Sequence, residues 1–365
     1  MKVTIIGTGL MGGSMGLALR AADPSIEVIG VDSESTLEAA RSRDAISHGA
    51  TDLRVAVSDA DVILICTPPE PSLSILEQIR GHVKPGTVIS DMSSVKTPIV
   101  DLASRLFGDD VLFVGGHPMT GSERNGIRHA NGVLFENATY VLCCDEKHKQ
   151  QLPEAYVRLT TLISLSGARI IEMSAQKHDR IAARVSHLPQ LLSVLLMNLA
   201  SNSRAQDPEL LLLAAGGFRD MTRIASSPYP MWQDILMENQ REVVKALEEL
   251  ESQLTTLKNR IASSDFEFVG QCFHEAEQTR DFIPIDRKGF LKPLADVFVF
   301  TSDRPGALVD ITTSLFKADL NIKDIELLRI REGTGGTFRL GFHTAVEANR
   351  AVEVLSGTGI SAYRL

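Results

Sequence analysis

A short glycine-rich segment near the N-terminus constrains the fold more than any other feature. The segment GTGLMG, from Gly7 to Gly12, has the spacing G-x-G-x-x-G. It follows an apolar run at residues 2–6 that predicts a buried strand, and it precedes a predicted helix at residues 13–20 and a second strand that ends at Asp32. In this context the spacing is typical of a dinucleotide site. A glycine turn that only packs a helix on a strand would leave Asp32 unexplained.

Each position of the segment has a physical role in this interpretation. Gly7 permits a tight turn, Gly9 lets the backbone approach a pyrophosphate, and Gly12 allows the helix to pack close to the strand. Leu10 and Met11 complete the segment and are expected to line the cofactor site, and the start of the following helix offers free N–H groups and a positive dipole to the phosphates.

Two other strand ends complete the predicted cofactor site. Asp32 would accept hydrogen bonds from a ribose 2′-OH and repel a 2′-phosphate, which favours NAD over NADP. A strand predicted at residues 61–66 ends in Thr67 and Pro68. Ligands of such sheets bind outside the carboxyl ends of the strands, so we expect these two residues to line the cofactor site.

The alternation of strands and helices continues along an α/β, Rossmann-like domain, which we place at residues 1–170. Its later strands are predicted at residues 86–90, 111–114 and 139–143. Ser94 follows the first of these, and GGHPMTGSE, residues 115–123, follows the second. The glycines would let the chain turn at the sheet edge. A plain turn does not need the histidine, serine or glutamate, so His117 is predicted to lie near the nicotinamide.

The apolar pattern becomes helical from about Ser174, which predicts an all-α domain at residues 171–283. Further helices are predicted at residues 209–215 and 229–260. Long helices with broad apolar stripes often form a dimer interface, so we expect a homodimer.

The composition excludes several classes of protein. The length of 365 residues predicts two or three domains, and a net charge of −9 argues against a nucleic-acid partner. Four cysteines without a C-x-x-C pair predict neither a metal site nor a disulfide framework. No apolar run is long enough to predict a membrane segment. The expected location is the cytoplasm.

The C-terminal part predicts a small α+β domain at residues 294–365, after a linker at residues 284–293. Its predicted order is βαββαβ, a split-βαβ arrangement. The elements are expected at residues 296–301, 307–318, 322–331, 337–343, 345–355 and 359–363.

The turn from Asp303 to Leu308, together with Asn321 at the start of the second strand, resembles the ACT domain. That resemblance implies a feedback sensor, in which Asp303, Gly306 and Asn321 bind an amino-acid effector. A dimerisation module without a ligand is the alternative.

Five motifs in order resemble the prephenate dehydrogenase family over roughly residues 1–283. The motifs are GTGLMGGS from Gly7, DxxSVK from Asp91, GGHPMTGSE from Gly115, SHLP from Ser186 and FRDMTRIA from Phe218. The resemblance implies oxidative decarboxylation of prephenate to 4-hydroxyphenylpyruvate in tyrosine biosynthesis, with NAD⁺ taking the hydride. It also makes tyrosine the expected effector.

The resemblance assigns three catalytic residues. His117 is the base for the hydroxyl proton, because an imidazole with a reference pKa of about 6.5 is mostly neutral at neutral pH. Ser94 would hydrogen-bond His117 or the substrate hydroxyl, and Arg223 would bind a substrate carboxylate.

Five more residues are expected to line the substrate pocket: His187, Arg219, Ser122, Glu123 and Trp232. From the residues alone, His187 is also compatible with a core histidine, and Arg219 and Arg223 with a solvated helix face. Two arginines after a Gly-Gly break in an acidic chain are, however, well suited to hold carboxylates.

Three rival functions remain open at this point. Arogenate dehydrogenase would use the same chemistry on a substrate with an amino-acid side chain. A β-hydroxyacid dehydrogenase would need a catalytic lysine in the helical domain, where Lys177 is poorly placed at a helix start. A sensor that binds NAD and an amino acid without turnover would leave Ser94, His117 and Arg223 without a joint purpose.

Overall fold

The computed structural model describes residues 1–121, 124–203, 207–282, 294–331 and 335–364. These residues form two compact units, Met1–Phe273 and His274–Leu365. The domain boundary predicted after residue 170 lies inside the first unit and stays a prediction, and the linker predicted at residues 284–293 lies outside the described residues. Within the described ranges, no helix is long and apolar enough to cross a bilayer.

The first unit is built on one eight-stranded sheet. Its strands are β1 (Lys2–Ile6), β2 (Glu27–Val31), β3 (His48–Ala50), β4 (Val62–Ile65), β5 (Val88–Asp91), β6 (Leu112–Pro118), β7 (Thr139–Cys143) and β8 (Arg169–Glu172). Their order is β3-β2-β1-β4-β5-β6-β7-β8. All neighbours are parallel except β6 and β7, which are antiparallel. The strand order reverses between β1 and β4, which is where such sheets bind ligands.

Helices cover both faces of this sheet. They are α1 (Leu10–Ala22), α2 (Glu34–Ser42), α3 (Leu53–Val57), α4 (Pro69–Ile79), α5 (Thr97–Leu106), α6 (Glu146–Gln151) and α7 (Pro153–Leu165). Successive residues of β4 point into different cores, with Leu64 in one and Ile63 and Ile65 in the other. Such continuous apolar strands are typical of parallel sheets buried on both faces.

The prediction that the glycines of GGHP turn the chain is wrong. Strand β6 continues through Gly115, Gly116 and His117 to Pro118 and pairs there with β7. The glycines serve close packing instead, because a Cβ on Gly116 would collide with the Asp91 carbonyl and lie 2.9 Å from Ser90 Oγ. His117 is therefore held within a paired strand.

The helical part of the first unit differs from the prediction in two places. The helix predicted at residues 209–215 is a short 3-10 turn, Leu210–Leu213. The helix predicted at residues 229–260 is interrupted at Asn239, whose side chain hydrogen-bonds groups outside its own helix. The helices after β8 are α8 (Ala175–Ala182), α9 (Leu188–Ser203), α10 (Gly216–Thr222), α11 (Tyr229–Glu238), α12 (Gln240–Ala262) and α13 (Phe266–Asp281), of which α13 runs past Phe273, the last residue of the first unit. A π-helical turn lies at Ala183–His187 and a 3-10 turn at Arg223–Ser226.

The second unit has the predicted βαββαβ order. Its elements are β9 (Ala295–Thr301), α14 (Ala307–Lys317), β10 (Asp324–Arg331), β11 (Gly335–Phe342), α15 (Ala345–Gly357) and β12 (Ser361–Tyr363). The sheet order is β10-β11-β9-β12, with antiparallel neighbours. Strand β10 begins at Asp324, so Asn321 lies in the loop before it and not at the start of the strand as predicted.

Candidate active site

The glycine loop between β1 and α1 has the geometry of a phosphate cradle. Gly7 has a φ of +88°, which favours glycine, and a Cβ there would lie 2.9 Å from the Cys66 carbonyl oxygen. A Cβ on Gly12 would collide with the Gly7 carbonyl and lie 2.7 Å from Ile5 Cγ2. Nothing lies within 4 Å of the position that a Cβ on Gly9 would occupy. The loop therefore leaves open space where the fingerprint expects a pyrophosphate.

The other predicted cofactor residues surround this loop. Asp32 follows β2, and its carboxylate accepts hydrogen bonds from the N–H of Thr8 at 2.8 Å and from the N–H of Ser33 at 2.8 Å. The Thr8 hydroxyl donates to the same oxygen as the Thr8 N–H, Oδ2, at 3.3 Å, so Oδ1 is the oxygen that keeps a second lone pair for another donor. Leu10 and Met11 form the first turn of α1.

Thr67 and Pro68 lie beyond the end of β4, at the same edge of the sheet. Thr67 Oγ1 is 2.8 Å from Ser72 Oγ, and Pro68 is the N-cap residue of α4. The methyl carbon of Thr67 lies 3.0 Å from the position of a Cβ on Gly7, which places this strand end against the glycine loop.

His117 is buried near the carboxyl end of the parallel strand β5, with 9% of its surface exposed. Its Nδ1 lies 2.8 Å from Nε2 of His178, and the two rings meet edge to face at 5.0 Å. Burial lowers the pKa of His117 well below its usual value, and electrostatic interactions with His178, Lys96 and His187 lower it further. His117 is therefore a neutral imidazole at neutral pH.

Two buried residues of α8, His178 and Asp179, continue this contact. His178 Nδ1 lies 2.8 Å from Asp179 Oδ1. The same carboxylate accepts from the backbone N–H of Lys96 at 2.8 Å and of Thr97 at 2.7 Å, at the start of α5. Burial alone would raise the pKa of Asp179, but the hydrogen bonds from His178, Thr97 and Lys96 outweigh it and hold the pKa below its usual value.

A buried ion pair fixes the strand that carries His117. Lys96 and Asp91 are both fully buried and form a salt bridge. Lys96 Nζ also donates to the Gly116 carbonyl at 2.6 Å, and Asp91 Oδ1 accepts from the Gly116 N–H at 3.1 Å. Removing one partner of such a pair leaves an uncompensated buried charge, so the pair strongly constrains the backbone beside His117.

A second group of polar side chains surrounds His187, which is 1% exposed. Asn239 Nδ2 lies 3.2 Å from His187 Nδ1 and 2.9 Å from the Asp179 carbonyl oxygen, to which it donates. Burial lowers the pKa of His187 to about 4, partly opposed by Asp179. The neutral ring thus accepts at Nδ1 and carries its proton on Nε2, as assigned from these contacts.

Two buried donors in this group lack an acceptor among the described residues, namely His187 Nε2 and Trp232 Nε1. The two rings meet edge to face with centroids 6.0 Å apart. Buried N–H groups without a partner are rare in folded proteins, so this pair is a good candidate for contact with a ligand oxygen.

Among the residues that the structure describes, the others predicted from the sequence for catalysis or substrate binding form no hydrogen bond with His117 or His187. Ser94 is half-buried and, within the described part of the chain, makes no hydrogen bond to His117, whose Nδ1 partner is His178. Arg219 is exposed on α10, and Arg223 is exposed at the start of the following 3-10 turn. Gln190 Nε2 donates to the Ile224 carbonyl at 2.9 Å, which ties that turn to α9. Ser122 and Glu123 lie outside the described residues.

Four residues of this site, Lys96, His178, Asp179 and Asn239, are not predicted by the sequence patterns. Lys96 lies within the DxxSVK motif, and the pattern that begins at Ser174 indicates His178 and Asp179 only as part of a helix start. Two adjacent polar residues, four and five places after the N-cap Ser174 and on the buried side of an amphipathic helix, were an available signal. Asn239 lay inside a helix predicted to be continuous, so nothing distinguished it.

The second unit contains a pocket of about 260 Å³ beside the turn after β9. Asp303 and Gly306, two of the three residues predicted to bind an effector, line it, and Gly306 has a φ of +86° as the N-cap residue of α14. Asn321 is not among its lining residues. The other lining residues are Thr301, Ser302, Arg304, Ala307, Leu308, Val309, Leu327, Gly335, Gly336 and Phe338.

Comparison with known proteins agrees with this arrangement. Residues 15–172 match the family described as prephenate dehydrogenase, nucleotide-binding domain, and residues 174–275 match prephenate dehydrogenase, dimerization domain. The chain is 33% identical to prephenate dehydrogenase of Bacillus subtilis (strain 168) over 359 residues, which cover 97% of this chain and 96% of that protein.

Two solved structures are similar to the chain. Prephenate dehydrogenase of A. aeolicus in complex with hydroxyphenyl propionate and NAD⁺ has a TM-score of 0.71 and 28% identity, and the match covers 78% of this chain and 98% of that one. Synechocystis arogenate dehydrogenase has a TM-score of 0.68 and 31% identity, with 77% and 99% covered. The glycine cradle, the buried His117 and these matches lead to one conclusion: the chain belongs to the prephenate dehydrogenase family of NAD-dependent oxidoreductases.

Proposed function

We propose that the protein catalyses the NAD-dependent oxidative decarboxylation of prephenate to 4-hydroxyphenylpyruvate. The observation that carries this proposal is His117, a buried and neutral imidazole whose Nδ1 is engaged and whose Nε2 has no partner among the described residues. It stands at the sheet edge where the glycine cradle lies. A base for a hydroxyl proton must be neutral and must present a lone pair.

The residues of the first unit fit NAD. The space at Gly9 suits a pyrophosphate, the start of α1 supplies N–H groups, and Asp32 suits a free ribose 2′-OH. When bound, NAD⁺ supplies the acceptor for the hydride from the ring carbon that carries the hydroxyl.

His117 would remove the proton of that hydroxyl at Nε2. The C–H electron pair leaves as hydride, and the bond to the ring carboxylate breaks to release CO₂, whose electron pair completes the aromatic ring. The hydroxyl carbon would become the carbon of a phenolate, and protonated His117 would return its proton to that oxygen, which gives 4-hydroxyphenylpyruvate and restores the neutral base. Ser94, which does not bond to His117, is left with the second of its two predicted roles, a contact with the hydroxyl.

The carboxylate groups of the substrate are bound by arginines in this proposal. Arg223 would bind a substrate carboxylate bidentately, with Arg219 beside it. Ser122 and Glu123 keep their predicted place in the pocket as hypotheses from the sequence alone.

The donors His187 Nε2–H and Trp232 Nε1–H favour a keto acid over an amino acid as the substrate. Both can donate only, so they suit the keto or carboxylate oxygens of a pyruvyl side chain. The ammonium group of arogenate would need an acceptor at the same place. Arogenate remains the second candidate substrate, because a solved arogenate dehydrogenase is also similar to this chain.

Two further features belong to the proposal. The dimerization-domain match supports a homodimer. The pocket with Asp303 and Gly306 supports an ACT-type effector site, where the carboxylate of Asp303 would attract the ammonium group of an amino acid, with tyrosine expected as the inhibitor.

NADH formation at equal concentrations of prephenate and arogenate tests the choice of substrate. We expect a kcat/KM for prephenate at least about tenfold higher, which corresponds to about 1.4 kcal/mol of transition-state stabilisation. A preference for arogenate would keep the mechanism and contradict the substrate. No turnover of either compound would contradict the proposed function.

A further inference from the structure

Three side chains in contact, Asp179, His178 and His117, form a chain that ends at the proposed base. We propose that His178 and Asp179 are positioning residues that hold the proton of His117 on Nδ1 and thereby leave Nε2 as its basic nitrogen. The kinetic part of this inference rests on the proposed function, whereas the position of the proton does not.

The direction of each hydrogen bond follows from the carboxylate. The hydrogen bonds around Asp179 hold its pKa low, so it is ionised and accepts only. His178 Nδ1, 2.8 Å from Oδ1, must therefore carry a proton. A neutral imidazole has one N–H, so Nε2 of His178 is an acceptor.

The contact between His178 and His117 determines which nitrogen of His117 carries the proton. His178 Nε2 lies 2.8 Å from His117 Nδ1, so His117 donates from Nδ1 and keeps its lone pair on Nε2. A cationic His178 would donate from both nitrogens and force the proton of His117 onto Nε2. The base would then be blocked, so the proposal requires a neutral His178.

The carboxylate that sets this order is itself immobilised. Asp179 accepts two backbone N–H bonds from Lys96 and Thr97 at the start of α5, where the helix dipole also favours a negative charge. Its own carbonyl accepts from Asn239 at 2.9 Å. Two N–H groups at the start of α5 and the His178 ring thus meet at one carboxylate, and Asn239 holds the backbone beside it. A buried acid that orients an imidazole in this way selects its tautomer.

Nitrogen NMR of the histidine side chains tests the proton position directly. In full-length protein labelled with ¹⁵N-histidine, the His117 ring is identified by the signals that a His117→Asn variant loses. We expect the ring protonated on Nδ1 in the wild type and in His178→Gln, because the glutamine oxygen can accept from Nδ1–H. We expect the proton on Nε2, or exchange between both nitrogens, in His178→Leu.

Kinetics on the same variants separates positioning from folding. His178→Leu should lower kcat for prephenate about 10²-fold, while the Kd for NAD and the melting temperature stay near those of a control, His82→Leu, which replaces an exposed histidine. His178→Gln should recover about tenfold of that loss, because it restores the acceptor.

The outcomes are distinguishable. A wild-type His117 protonated on Nε2 would overturn the inference whatever the enzyme turns over. Equal activity of the Leu and Gln variants, with the same His117 tautomer, would also overturn it. Absence of turnover in the wild type would contradict the proposed function. The NMR result would still decide whether Asp179 and His178 hold the proton of His117 on Nδ1.

Discussion

His117 has lost most of its contact with water, and this changes the pH range in which it can act as a base. Its pKa lies well below about 6.5, chiefly because of burial and further because of the electrostatic interactions with His178, Lys96 and His187. A lowered pKa keeps the imidazole unprotonated as the pH falls through the ordinary range. The acid limb of activity therefore moves to lower pH.

We expect kcat/KM for prephenate to stay on its plateau as the pH falls from about 8 to about 6.5 and to decline only below that value. The profile is measured by initial rates of NADH formation at saturating NAD⁺. A limb centred at about 6.5 or above would contradict the description of His117 as a desolvated base.

His187 predicts a pH effect on stability. Its pKa is about 4 in the folded state and about 6.5 when unfolded, so the unfolded chain binds the proton first as the pH falls. Between pH 7 and 5 this costs about 2 kcal/mol of the free energy of unfolding. The loss begins near the unfolded pKa and is complete at the folded one.

Denaturant unfolding of the wild type and His187→Asn at both pH values measures this contribution. The variant should lose about 2 kcal/mol less between them than the wild type, whereas His82→Asn, at an exposed position, should behave like the wild type. An identical pH dependence in all three proteins would contradict a neutral, buried His187.

At the level of the elements, two glycines of the loop between β1 and α1 have different roles, one in cofactor binding and one in folding. Gly9 has open space around its Cα, and Gly12 is packed against β1 and the Gly7 carbonyl. Gly9→Ala should fold normally and weaken NAD binding about tenfold, or about 1.4 kcal/mol. Gly12→Ala should lower the free energy of unfolding by about 1–3 kcal/mol through overpacking.

Calorimetric titration with NAD⁺ and thermal unfolding of both variants check this pair. The two substitutions are matched, since each adds one methyl group to the same loop. Normal NAD affinity in Gly9→Ala would show that the loop does not approach the cofactor, and an unchanged melting temperature in Gly12→Ala would contradict the packing.

Elements with a strong local signal were predictable from the sequence. The fingerprint from Gly7 to Gly12 and the acidic residue at Asp32 imply their structure because turn, helix and strand are set by neighbouring residues. The turn predicted at GGHP is absent because β7 pairs with these residues and Asp91 packs against Gly116, whereas glycines indicate a turn only from local sequence.

The hydrogen bonds that link Asp179 and His178 to His117 could not be predicted in the same way. His178 lies 61 positions from His117, and Asn239 lies 60 positions from Asp179. Such contacts depend on how α8 packs against β7 and α5 and on where α11 ends, and no local pattern encodes that. The sequence shows an adjacent His and Asp on a buried helix face, but it does not show that they contact His117.

For the whole molecule, the second unit is expected to control activity and not to contribute to the chemistry. Its pocket contains Asp303, whose carboxylate would hold the ammonium group of the effector. In the full chain, Asp303→Ala should abolish inhibition by tyrosine, with at least a tenfold rise in the half-inhibitory concentration, about 1.4 kcal/mol, and no change in uninhibited kcat.

Rates of NADH formation against tyrosine concentration measure this effect. Glu353→Ala, at an exposed position on α15, is the matched control and should retain inhibition. Unchanged inhibition in Asp303→Ala would place the effector elsewhere. No tyrosine effect in the wild type would favour a dimerisation module without a ligand.

The central claim, that His117 removes the hydroxyl proton of prephenate, is tested most directly by single-turnover NADH formation with wild type and His117→Asn at saturating NAD⁺. We expect the rate constant to fall by about 10²-fold or more in the variant, with the Kd for NAD unchanged. A variant that forms NADH within a few-fold of the wild-type rate would contradict the assignment of His117 as the base.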